Sequence, residues 1–301
     1  MTISTIWVWI LFRKHIMTID LANLRKWTGS SESRHERITA FASNALAATL
    51  NRDDATYEDG SVLPHLWHWL HFLSITPLDK TGPDGHAARG DFLPPVPLPR
   101  RMWAGGRFRF YAPLHINAVL RKISTVNSVT HKTGRSGDLV FVTVLHEVFD
   151  DNIKCLEEEH DIVYRAAARA GDTTPTPPTA PIDSAFSRKI DPDPVLLFRY
   201  SALTFNSHRI HYDQPYVTDT EGYPGLVVHG PLIATLLMDL LRENMPDAQV
   251  TGFSFRNLSP LFDTDKISIH GQPQQDGAIR LWAQKSDGAM AMDATATLHK
   301  V

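Results

Sequence analysis

Cysteine is almost missing from this chain: Cys155 is the single one among 301 residues. That excludes an intrachain disulfide and a multi-cysteine metal site, and it fits a reducing compartment. The thiol itself reads as a small buried filler. Charge of one sign is missing as well. The formal net charge is −3, so nothing supports a nucleic-acid partner held by counterion release. Only a local group of Arg100, Arg101, Arg107 and Arg109 stands ready for a small anionic ligand. Long apolar runs are absent too. The N-terminal TISTIWVWILF covers about half of the ~20 residues that a bilayer crossing needs. It has neither a basic segment before it nor a small-residue cleavage site after it. These absences point to a cytoplasmic protein with no membrane partner. Met17 opens MTIDLANLRKW, which reads as a natural start, so residues 1–16 are expected to be an extension outside the fold.

What is present is a globular composition, 43% hydrophobic and 21% charged, sufficient for one large domain or two of ordinary size. Helical spacing of Leu21, Leu24, Trp27, Ile38, Phe41 and Leu46 predicts helix over 20–50. LPHLWHWLHFL (63–73) reads as a buried helix. Its His65, His68 and His71 form a polar edge, since no carboxylate or cysteine joins them. The Pro/Gly-rich stretch 76–99 predicts an irregular exposed loop. The period then changes to two through WAGGRFRFYAPL, AVLRKISTVNSVTHK and DLVFVTVLHEVF, the alternation of antiparallel strands, with KTGRSGD (132–138) as a turn. CLEEEHDIVYRAAARA (155–170) fits either a last strand or a short helix. GDTTPTPPTAPIDS (171–184) is a Pro/Thr linker, dividing a first half, 17–170, from a second, 185–301.

The second half leads with a strand-like 194–200 into a crowded polar turn, where Asn206, His208, Arg209, His211 and Asp213 fall within eight residues. VVHGPLIATLLMDLLREN (227–244) is the strongest helix, and strands are expected near 250–258, 266–272, 278–285 and 289–299. One apolar helix followed by four antiparallel strands suggests a sheet curled around that helix, and the first half looks like a second copy of the same plan. Pro231 suits the first helical position, which leaves Gly230 as a cap-like residue. The first N–H groups of a helix lack internal partners at the positive end of its dipole, so Gly230 N–H is placed to meet an oxyanion.

NSHRIH (206–211) and YPGLVVHGP (223–231) closely resemble the MaoC-like hydratases and type 2 hydroxyacyl-thioester dehydratases. The branch is the one that includes mesaconyl-C4-CoA and itaconyl-CoA hydratases. The resemblance is strongest over 195–262 and extends weakly through 100–114 and 132–144. It implies an α+β double hot-dog fold, monomeric or a homodimer, with catalysis in the C-terminal half and the N-terminal half shaping the acyl pocket. The family's Asp-x-Asn-Pro-x-His motif puts its histidine on His211 and its aspartate on Asn206, while His208 and Arg209 replace the asparagine and proline. The family's oxyanion glycine falls on Gly230. The resemblance therefore implies catalytic Asn206, His211 and Gly230, and substrate contacts from His208, Arg209, His229, Arg199 and Arg256. No metal or separate cofactor is implied, coenzyme A being part of the substrate.

That chemistry suits these groups. Hydration of an enoyl thioester needs a base for water and a donor for the developing enolate oxygen. The substrate that the resemblance implies is a C5 dicarboxylyl-CoA, mesaconyl-C4-CoA or itaconyl-CoA, hydrated to citramalyl-CoA. Its free carboxylate needs a cation, for which Arg199, Arg209 and Arg256 are candidates, each reading equally as a surface residue or a contact to the CoA phosphates. Alternatives are a dehydratase of fatty 3-hydroxyacyl thioesters, a thioesterase using Asp239, a non-enzymatic acyl-binding module, and a metal site of His208, His211, His229 and Asp213.

Overall fold

A computed structural model describes residues 19–53, 56–134, 137–166 and 176–299. The expected extension, 1–16, lies outside them, as do the first part of the linker, 171–175, and the turn tip, 135–136.

The organising element is α4 (Gly230–Asn244), in which every residue from Leu232 to Leu241 is buried. A helix buried on all sides has to be enclosed. The enclosure is a sheet of β6 (Phe186–Ile190), β7 (Val250–Asn257), β8 (Ile267–Pro273), β9 (Ile279–Lys285) and β10 (Met290–Leu298). The last four match the alternating segments of the sequence. In the first half, β2 (Arg100–Phe110), β3 (Val119–Gly134), β4 (Gly137–Asp150) and β5 (Ile153–Arg165) form a long meander, with β1 (Ser31–Arg37) on its edge. β5 settles the ambiguous segment as strand as far as Arg165, and residues 167–170 lie outside the described residues. The two sets join where Gly105–Arg109 of β2 pairs with Gly252–Arg256 of β7. The result among the described residues is one antiparallel sheet of ten strands, ordered β1-β3-β4-β5-β2-β7-β10-β9-β8-β6.

Several local expectations are corrected. Residues 194–200 are not a strand but begin α3 (Pro194–Leu203). Asp193 Oδ1 accepts from the Val195 and Leu196 amides at 2.7 and 2.9 Å, and Pro194 follows it, a helix start that outweighs a short apolar run. Residues 20–50 are not continuous helix: α1 (Leu21–Leu24) leads through a 3₁₀ turn to β1 and then α2 (Ala40–Thr49). β1, SESRHER, hides its strand character because its burial alternates only between half-buried and exposed. The 63–73 helix shrinks to a 3₁₀ turn, Trp67–Leu70, between left-handed Leu66 and Phe72 (φ 70° and 57°). A carboxylate does reach its histidines: buried Glu158 of β5 accepts from Trp69 Nε1 at 3.1 Å and pairs with His68 Nε2 at 3.0 Å. Cys155 is buried and free, as expected. The later part of the linker packs down, with Thr179 bridging to Ala289 and Ala180 buried beside Trp282 and Met290. Among the described residues, no helix is long and apolar enough to cross a membrane.

Candidate active site

The polar turn follows α3. Phe205 adopts a left-handed φ of 49°, and the Asn206 amide returns to the Ser201 carbonyl at 2.8 Å. Asn206 Oδ1 accepts from the His208 amide at 3.0 Å, an Asx turn that aims the following residues. Its Nδ2 makes no hydrogen bond to a described residue. His211 is then fixed from two directions. Val227 N donates to Ile210 O at 2.9 Å, and His211 Nδ1–H donates to Val227 O at 2.6 Å. A carbonyl can only accept, so Nδ1 carries the proton and Nε2 is left with its lone pair.

Two residues on from Val227, His229 stacks on His211 with ring centroids 3.7 Å apart and planes 18° from parallel. Its Nε2 faces Ser201 Oγ at 2.8 Å. Burial holds both rings neutral. It lowers His211 to about 4, against the opposing pull of the Val227 carbonyl, and drives His229 well below the ordinary range, helped by His211 and His208. His229 also occupies the cap position of α4, so Gly230 is the first helical residue and Pro231 the second, a shift of one from the sequence expectation. Gly230 N–H has no hydrogen-bond acceptor among the described residues. A Cβ here would stand 2.9 Å from Asn257 Nδ2, which is itself held by the Trp103 carbonyl at 2.7 Å. Glycine is thus required by packing at the point where the helix start is open.

The loop 76–99 does more than its composition suggests. Its PDGH segment (83–86) docks against the polar turn. Arg209 N donates to Asp84 O at 2.9 Å, Ser207 Oγ to Gly85 O at 2.6 Å, and Arg209 Nη1 to Pro83 O at 3.1 Å. Gly85 has φ +87°, and a Cβ there would lie 1.9 Å from the Ser207 carbonyl oxygen, so no other residue fits. The docking delivers a carboxylate–imidazole pair. Asp84 Oδ1 accepts from the His86 amide at 3.0 Å, and Oδ2 accepts from His86 Nδ1 at 3.1 Å. The His86 bond holds the Asp84 carboxyl well below the usual carboxylate range. The His86 ring lies 3.9 Å from that of His208, whose pKa is lowered to about 2 by burial and by His86 and His211. Sequence reasoning passed over this pair; the signal was an acid–Gly–His triplet inside a loop taken as exposed.

The predicted arginines do not gather here. Arg209 is spent on structure: Nε binds Asp213 at 2.8 Å, and its guanidinium lies 4.1 Å from the Tyr216 ring. Arg199 is exposed on α3 in a shallow cleft with Asp191 and Asp193. Arg256 is exposed beside Asp293, on the face of β7 opposite buried Phe253 and Phe255. Of the group on β2, Arg100 pairs with Glu221 at 3.1 Å and Arg107 with Glu159 and Asp161. Arg101 is the one whose charge is felt by both His86 and His208.

The donors assigned to a metal do not converge: His211 is tied to Val227, His229 to Ser201 and Asp213 to Arg209. Donor atoms of Asp84, His86 and His208, and separately those of His146, Glu158 and His160, lie within 4.8 Å of one another. In the first set the Asp84 and His86 atoms bind each other, and in the second Glu158 is held by His68 and Trp69 and His146 by Ser124. His208 and His160 are the members of the two sets without a side-chain hydrogen bond among the described residues. Asp239 lies nine residues beyond Gly230, about 13 Å along the axis, and its partners are Arg52 and Arg242. It is therefore no nucleophile for this turn.

The family model of the type 2 hydroxyacyl-thioester dehydratases matches residues 66–263. The chain belongs to this family. The mesaconyl-C(4)-CoA hydratase of Chloroflexus aurantiacus is 47% identical over 278 residues, covering 92% of this chain and 98% of the relative. The mitochondrial type 2 hydroxyacyl-thioester dehydratase of Schizosaccharomyces pombe is 28% identical, covering 67% of this chain and 75% of that one. Among solved structures, a MaoC-like dehydratase from Phytophthora capsici shares the fold at 15% identity, with a TM-score of 0.70 over 93% of this chain and 98% of that chain. A Mycobacterium tuberculosis protein with a double hotdog fold does so at 13% identity, with a TM-score of 0.56 over 90% and 96%. The chain is thus a double hot-dog member of the type 2 dehydratases, and a hydro-lyase.

The buried imidazoles of this family member predict its acid sensitivity. Burial lowers His65, His160 and His211 to about 4 and His146 to about 3, whereas in an unfolded chain histidine titrates near 6.5. As pH falls below about 6.5 the unfolded state binds protons first, so stability is full above that pH and is lost progressively toward about 4. Urea midpoints should fall steadily from pH 7.5 to 6 to 5; equal midpoints would show that these histidines are not held neutral.

Proposed function

We propose that this protein catalyses the reversible hydration of an enoyl-CoA thioester. The carrying observation is the pairing of a base and a donor: His211, its Nδ1–H fixed by Val227, stacks on His229, the residue that precedes the open Gly230 N–H. His211 Nε2 takes a proton from water as the water oxygen bonds the β-carbon. The displaced electrons move to the thioester oxygen, where Gly230 N–H meets them. Asn206 cannot be a base. With Oδ1 engaged by the His208 amide, its Nδ2–H₂ is left to hold the water. His208 and His229 wall the pocket. The enzyme works in the cytoplasm, alone or as a homodimer, and requires no metal or further cofactor.

The substrate in this reading is a C5 dicarboxylyl-CoA, mesaconyl-C4-CoA or itaconyl-CoA, giving citramalyl-CoA. The extent of similarity to the Chloroflexus hydratase supports it. Arg101, close enough to act on His86 and His208, replaces Arg199, Arg209 and Arg256 as the cation for the free carboxylate. The similarity to the fission-yeast dehydratase favours a second reading, a fatty 3-hydroxyacyl-thioester dehydratase.

A panel of crotonyl-CoA, a long-chain enoyl-CoA, mesaconyl-CoA and itaconyl-CoA separates these readings. Purified enzyme is expected to prefer a dicarboxylyl-CoA, and preference for the long chain would favour the second. His211→Ala should lower kcat by ~10²–10⁴ with the fold intact. Since one imidazole with a pKa of about 4 must be deprotonated, kcat/KM should rise with unit slope as pH increases through about 4. A slope of two would mean a second base. Exhaustive chelation should leave the rate unchanged; activity lost with stoichiometric metal would reinstate a metal-dependent mechanism.

A further inference from the structure

Hydration needs two proton transfers: water loses one to His211, and the α-carbon must gain one. In the C-terminal half the family's aspartate position holds Asn206. His208 and His229 are kept neutral by burial and by the neighbouring imidazoles, with no carboxylate among the described residues bonded to either ring. We propose that His86, held by Asp84 on the docked loop of the N-terminal half, is the second proton-transfer group and serves the α-carbon. This rests on the hydratase reading above.

Three observations carry it. The loop is built to sit at this place, since Gly85 admits no side chain against the Ser207 carbonyl and the backbones of Pro83, Asp84 and Gly85 accept from Ser207 and Arg209. The Asp84 carboxylate fixes the imidazole through Nδ1, so His86, like His211, presents Nε2. And the pair is partly open, the side chains being 22% and 29% exposed for His86 and Asp84, so a substrate can reach it. An ionised carboxylate bound to imidazole also stabilises the imidazolium that forms on proton uptake.

The balance is simplest in the dehydration direction. His86 Nε2 takes the α-proton of the 3-hydroxyacyl thioester, and the C–H electrons move to the carbonyl oxygen at Gly230 N–H. As this enolate collapses, the C–O bond at the β-carbon breaks, and His211 imidazolium gives its Nε2 proton to the leaving hydroxide, releasing water. Hydration reverses each step, with His86 imidazolium returning its proton to the α-carbon. The two imidazoles share one proton and exchange it through solvent between turnovers. Burial, with the charges of Arg101 and Arg89, lowers the His86 pKa below the ordinary imidazole value, and Asp84 pulls the other way; the ring of His208 is the remaining titratable neighbour.

The test separates the two protons. Methylsuccinyl-CoA and butyryl-CoA carry α-hydrogens but no β-hydroxyl, so their exchange in D₂O reports α-proton transfer alone. Wild type should exchange at least one of them. His86→Gln should reduce that exchange and the hydration kcat by roughly 10²–10⁴-fold, and should remove the basic limb of a bell-shaped kcat/KM profile. His211→Gln should lose hydration but keep exchange within a few-fold. Asp84→Asn, which leaves the imidazole but not its charge partner, should fall between. Wild-type hydration and exchange in folded His86→Gln would overturn the inference and leave the hydratase reading standing. A wild-type enzyme that hydrates no member of the panel would overturn that reading, and this inference with it.

Discussion

Enclosure of α4 is the constraint from which the rest of the architecture follows. A helix whose residues 232–241 are all buried is stable only when apolar surface covers it on every side. The C-terminal strands wrap it, and the sheet continues through β7 and β2 into the N-terminal half. At the start of the helix stand the buried His229, Gly230, whose N–H has no acceptor among the described residues, and Pro231.

Burial also sets the electrostatics. Four imidazoles lie in sequence through space, His86 to His208, His208 to His211 and His211 to His229, with centroid separations of 3.9, 5.5 and 3.7 Å. Close packing of ionisable groups away from water disfavours any charged member, and the C-terminal half contributes no carboxylate to relieve it. The carboxylate comes from the other half, as Asp84. The two hot-dog units therefore meet in this imidazole cluster as well as through β2 and β7.

Much of this was legible in the sequence, and the reasons are local. Period-two alternation marked β2, β3, β4 and β7 to β10 because one face of each is buried. Apolar spacing marked α4, and NSHRIH with VVHGP marked His211 and Gly230. Short apolar runs were less legible: 194–200 reads as strand until Asp193 is seen as a cap, and 63–73 reads as helix until two left-handed residues cut it to one turn. β1 was hidden because neither of its faces is fully buried.

By itself the sequence determined the strand and helix periods, the absence of disulfide chemistry, the family motif and the glycine at the helix start. These depend on residue type and on spacing within one segment, which a linear reading captures. Tertiary structure alone decided which distant groups meet. It brought Asp84 and His86 across more than a hundred residues to His208, spent Arg209 on Asp213 and the loop backbone, and left Arg199 and Arg256 on the surface. It also chose the His211 tautomer, through a carbonyl sixteen residues away. A hydrogen bond or a charge acts over a few ångströms in space, and separation along the chain does not reveal which groups will come that close.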